Sequence, residues 1–170
     1  MDFKALFSDK TTNSKGKTEA LAKSVLENKI TINELIDFAS TQKDPVKATC
    51  IEAIEMVTQS KPELANDNTL DFVISSLSEK APRVKWESAR VIANTIHLFP
   101  KKQGSAIPEL LKNSEHEGTV VRWSTAMAFA SIVKTESPES KKIISGLKGI
   151  AEKEEKNSIK KIYLKALKGK

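Results

Sequence analysis

The sequence predicts an all-α fold: a short α-solenoid of about four helical hairpins behind an N-terminal capping helix. Three observations predict it. Four segments align without gaps, Val46-Lys47-Ala48-Thr49-Cys50-Ile51, Val84-Lys85-Trp86-Glu87-Ser88-Ala89, Val121-Arg122-Trp123-Ser124-Thr125-Ala126 and Ile159-Lys160-Lys161-Ile162-Tyr163-Leu164, with starts 38, 37 and 38 residues apart. Each opens an apolar edge at i, i+5 and i+8, continued by Ile51, Ala89, Ala126 and Leu164 and then by Ile54, Ile92, Phe129 and Leu167, as one side of an amphipathic helix requires. A second helical pattern stands upstream of each: Ile32-Leu35-Ile36, Leu70-Val73-Ile74-Leu77, Ile107-Leu110-Leu111 and Ile143-Ile144-Leu147-Ile150. A lone hairpin cannot bury such stripes, so neighbours must stack and share one core.

The elements follow in order. Residues 1–17 form an N-terminal segment, partly flexible: Phe3, Leu6 and Phe7 cluster at helical spacing, either docked on the first hairpin or offered to a partner, and Lys10 to Lys17 read as a polar hinge. Thr18 to Asn28 reads as the capping helix, with Leu21, Val25 and Leu26 inward. Residues 18–170 make a single domain with repeats at about 31–60, 68–100, 105–136 and 139–170. Thr31-Ile32-Asn33-Glu34 has the form of a capping box. Asp44, Thr119 and Asn157, each two residues before a repeat segment, are good N-cap residues, and Pro82 in the same column suits a first helical turn. The last unit carries one or two extra residues between its helices and reads as a cap.

A two-helix unit of 37 to 38 residues, with a Val-Lys or Val-Arg pair opening its second helix and a small residue five positions on, resembles the HEAT repeat family over about residues 31–170. Tetratricopeptide and ankyrin repeats have shorter periods and signatures that this chain lacks. The resemblance implies a right-handed α-α superhelix whose second helices line the concave face. It also implies that the cation column, Lys47, Lys85, Arg122 and Lys160, pairs with acids of neighbouring inter-helix turns in a structural ladder, with Asp44, Glu79, Glu115, Glu117 and Glu154 as candidates. Exposed pairs of this kind contribute only ~0.2–1 kcal/mol each.

Composition narrows the function. The chain has 170 residues, 39% of them hydrophobic and 29% charged, with a net charge of +6, which fits a folded domain rather than a disordered or low-complexity chain. No apolar run approaches the roughly 18 residues of a membrane helix, and Met1-Asp2-Phe3-Lys4 leads into no secretory h-region, so a cytoplasmic protein is expected. The single Cys50, among Ala48, Ile51 and Ala53, reads as a small core residue. His97 and Glu115-His116-Glu117 do not make a zinc site, no phosphate loop or nucleophile elbow occurs, and Glu152, Glu154 and Glu155 lie in a solvated charge run. The expectation is no enzyme activity, no metal and no cofactor.

The two tryptophans are the most informative side chains. Trp86 and Trp123 fall in one column of adjacent repeats. At about 100° per residue, Trp86 lies beside Arg90 and His97, and Trp123 beside Met127 and Lys134. These six residues are the candidate binding face, either an aromatic and basic groove or rings that fill the gap between hairpins. The leading expectation is a non-catalytic scaffold that binds a protein segment there, as a monomer or weak homodimer, with Ile162, Tyr163 and Ala166 as a self-pairing face. The alternative is a nucleic-acid binder, distantly resembling the HEAT-like DNA alkylation-repeat glycosylases, supported by the sequence pI of about 9.3 and the Lys-rich last helix. No catalytic residue of those enzymes carries over.

Overall fold

The computed structural model describes all 170 residues and contains ten α-helices and no strand. In order they are α1 (Phe3–Ser8), α2 (Ser14–Leu26), α3 (Ile32–Ser40), α4 (Val46–Ser60), α5 (Asp67–Ser76), α6 (Pro82–Thr95), α7 (Gln103–Ser114), α8 (Thr119–Lys134), α9 (Pro138–Lys153) and α10 (Asn157–Leu167). The pairs α3/α4, α5/α6, α7/α8 and α9/α10 are the four hairpins expected from the repeat columns. Packing is sequential: α2, α4, α6, α8 and α10 each lie against the next of that series, and α3, α5, α7 and α9 do so more loosely.

The core lies between these two sets of helices. Val84, Val121 and Ile159 at the repeat starts are buried, and so are Ile54, Ile92, Phe129 and Leu167 eight positions after each start. Leu164 departs from the expected pattern. Ile51, Ala89 and Ala126 in its column are buried, whereas Leu164, on the last helix of the structure, is 54% exposed. Tyr163, expected on a self-pairing surface, instead points inward against Phe129, ring centroids 6.4 Å apart, with its hydroxyl buried and without a hydrogen-bond partner.

Helix starts divide into those with side-chain caps and those without. Thr31 and Glu34 form the predicted capping box, and Asn66 with Thr69 forms a second one before α5. The second helices have no such caps. Pro82, Thr119 and Asn157 are the first residues inside α6, α8 and α10, behind Ala81, Gly118 and Lys156, and α4 starts only at Val46, beyond Asp44. Asp44, Thr119 and Asn157 are therefore not N-caps; before α8 and α10 the column cations Arg122 and Lys160 instead donate to carbonyls upstream of the helix start. α2 starts earlier than its apolar pattern suggests, because Asn13 accepts a hydrogen bond from the Gly16 N–H. It ends where Asn28 adopts φ 56°, a conformation that Asn tolerates. The extra residues of the last unit lie within α9, 16 residues long, and not in the turn after it. At the N-terminus, Phe3 and Phe7 stack on Phe38 of α3, ring centroids 4.7 and 5.6 Å away.

Candidate binding face

α8 is apolar around most of its circumference. Val121, Ala126, Ala128, Phe129, Ile132 and Val133 are buried, which leaves Val120, Trp123 and Met127 outside at i, i+3 and i+7, with 49%, 37% and 39% exposure. Helical spacing puts these three in one stripe along the outer side. Trp86 occupies the equivalent position on α6, the neighbour of α8, but is half-buried, and its indole Nε1 donates to Glu87 Oε1 at 2.7 Å. The two indoles do not form a ring pair; the aromatic pairs are Phe3–Phe38, Phe7–Phe38 and Phe129–Tyr163. Trp86, Arg90, Trp123 and Met127 thus share the outer side of two adjacent helices. His97 is exposed in a short 3-10 turn, Ile96–Leu98, after α6 has ended, and exposed Lys134 closes α8. At 1.5 Å rise per residue each lies roughly 16 Å along the helix direction from its tryptophan.

Beside Trp86 lies a buried polar network that the sequence reading missed. Glu55 and Glu87 are 5% and 3% exposed, and Arg90 bridges them, 2.9 Å from Glu55 Oε1 and 3.2 Å from Glu87 Oε2. Asn94 Nδ2 donates to the Glu55 carbonyl and to Thr58 Oγ1, each at 3.3 Å. Nearby Glu52 accepts from the Arg83 guanidinium, and from Thr18 Oγ1 at 2.9 Å. Burial pushes the carboxyls of Glu55 and Glu87 above the ordinary range, against the opposing pull of Arg90. The available signal was an acid inside an apolar run, Ala53-Ile54-Glu55-Met56-Val57, which needs a partner if it is buried, and Arg90 one repeat further on supplies it.

The cation column makes contacts of one recurring kind. Lys47 pairs with Glu79 in the α5–α6 turn, and Lys85 Nζ donates to Asn113 Oδ1 near the end of α7 at 3.0 Å and to the Leu77 carbonyl at 2.8 Å. Arg122 binds Glu154 after α9, with Nε at 3.0 Å from Oε2, and its Nη1 donates to the carbonyls of His116 and Glu117. Each reaches the turn region of the next hairpin. Lys160 has no next hairpin and donates to the Glu152 carbonyl at 3.1 Å. Of the five candidate acids, Glu79 and Glu154 are partners, while the carboxylates of Asp44, Glu115 and Glu117 form no ion pair. Burial would raise Glu154, but hydrogen bonds from Arg122 and the Lys156 N–H outweigh it and hold the carboxyl below its usual value.

A polar cleft of about 430 Å³ opens beside this pair, lined by His116, Arg122, Gly146, Gly149 and Glu154 among others. Most of the Arg122 donors there are already engaged. No three His, Cys, Asp or Glu side chains converge to hold a metal ion, and no helix is long and apolar enough to cross a membrane. Burial pushes the Cys50 thiol up to about 12. No family model, curated protein or solved structure significantly matches the chain.

Proposed function

We propose that this chain is a non-catalytic scaffold: a short, right-handed HEAT-like solenoid that grips a protein segment on the outer side of its second helices, the concave face in that architecture. The observation that carries the reading is the Val120–Trp123–Met127 stripe. Three of the chain's large exposed apolar side chains lie on one helix in binding register, and a helix apolar on both sides calls for a partner on the side the core does not cover. Trp86 and Arg90 extend the face onto α6, while His97 and Lys134 stand at its far edge. Lys47, Lys85, Arg122 and Lys160 act as the ladder that fixes the angle between hairpins. The HEAT assignment rests on the 37- to 38-residue columns and on the sequential packing of second helices. A cytoplasmic setting goes with this reading.

The test is selection of binders from a phage-displayed library of random peptides, panned on the folded protein, followed by measurement against Trp123→Ala/Met127→Ala. Loss of a central Trp contact weakens binding by about 2 kcal/mol, or about thirtyfold in Kd. The expected outcome is that loss with an unchanged thermal midpoint, since both side chains are exposed. Peptides that bind the double variant as tightly as the original contradict the proposed face, and so does a library that yields none.

A further inference from the structure

The excess positive charge is confined to one end of the molecule. Residues 138–170 contain ten Lys and four Glu, a net +6, whereas residues 1–137 contain eighteen Lys and Arg against eighteen Asp and Glu. The whole net charge therefore sits on α9, α10 and their immediate flanks.

Two of these lysines border the proposed binding face. On α10, Lys161 and Lys165 stand two and six residues after the β-branched start of their repeat, the positions that Trp123 and Met127 occupy on α8. They are exposed, as Trp123 and Met127 are, and α8 and α10 pack against each other. α10 contains no acid, and no ion pair or hydrogen bond engages the ammonium of Lys161, Lys165 or Lys168. The opposite flank differs. Arg83 and Arg90 are tied to Glu52, Glu55 and Glu87, three carboxylates against two guanidiniums. The apolar stripe of α8 thus has free cations on one side and a closed network with excess negative charge on the other.

We propose that the segment bound here is acidic, with large apolar side chains on Val120, Trp123 and Met127 and carboxylates over Lys161 and Lys165. This rests on the reading of the face as a segment-binding surface and adds the chemistry and direction of the ligand. A nucleic-acid backbone fits less well. A strand crossing from α10 to α6 would bring phosphates to the carboxylates beside Trp86, and Trp86, half-buried, presents less ring surface for base stacking than Trp123.

Peptides selected on the full chain are sequenced, synthesised with a fluorescent label and measured by anisotropy against Lys161→Glu/Lys165→Glu and, as a control, Lys141→Glu/Lys142→Glu on α9. The expected result is enrichment of Asp and Glu next to large apolar residues. Affinity should fall at least about tenfold in the α10 variant and less than about twofold in the control, with steep weakening as salt rises. Peptides that need Trp123 but are neutral or basic, or that lose affinity equally in both lysine variants, overturn the inference while leaving the binding face intact. Acidic peptides indifferent to Trp123→Ala/Met127→Ala overturn the face itself, and the inference with it. Displacement of the peptide by a thymidine oligonucleotide at about 0.15 M salt assigns the lysines to phosphate and also overturns the inference.

Discussion

Arg90 is the single cation between two buried carboxylates, so its removal leaves both without a countercharge. Arg90→Ala should cost about 3 kcal/mol near neutral pH, measured by urea unfolding. Glu55 and Glu87 bind protons more tightly in the folded chain than in the unfolded one. Their protonation therefore favours folding below the ordinary carboxylate range, and that contribution is lost as pH rises through their folded values. The deficit of Arg90→Ala should shrink on acidification, and a deficit independent of pH would show that the carboxylates do not depend on this arginine. Tyr163 presents the opposite case, a buried hydroxyl with no partner. Tyr163→Phe should leave stability unchanged or raise it by up to about 1 kcal/mol, whereas a loss of more than about 1 kcal/mol would reveal a hydrogen bond to that hydroxyl. The common stripe of Trp123 and Met127 follows from helical spacing, which is local information in the sequence. It did not reveal Glu55 or Glu87, because their burial depends on Arg90 and Asn94 from the next hairpin.

At the scale of elements, the helices were legible and their ends only partly so. Periodicity found both helices of every hairpin, since apolar spacing records which side must be buried. Capping rules succeeded at Thr31–Glu34 and failed at Asp44, Thr119 and Asn157; at the last two, Arg122 and Lys160 tie carbonyls just upstream of the helix start. Leu164 was misplaced as well: its column is buried at Ile51, Ala89 and Ala126 but exposed on the last helix of the structure. α1 is anchored to the array by Phe3 and Phe7 stacked on Phe38, with Leu6 packed on the core and Lys17 Nζ donating to the Phe7 carbonyl at 3.1 Å. Phe38→Ala should release it, with fast amide exchange over Phe3–Ser8 and a stability loss of about 1 kcal/mol. Unchanged protection of α1 would mean that contacts other than the stacked rings hold it.

At the scale of the molecule, each hairpin contacts mainly its neighbours, so side chains in one column form a continuous surface across successive second helices. That surface changes character along the array, from the closed network of α4 and α6, through the apolar stripe of α8, to the free lysines of α10. The order of helices was legible in the sequence; the contrast between tied arginines and free lysines was not, because it depends on which acids the folded chain brings within reach. The central claim is that a protein segment lies across α8, and the most direct measurement is an amide and side-chain shift map of the folded protein titrated with a selected peptide. The account predicts perturbations centred on Val120, Trp123 and Met127 and spreading to Lys161 and Lys165. Perturbations confined to α3, α5, α7 and α9, or to the cleft beside His116 and Gly146, would contradict it.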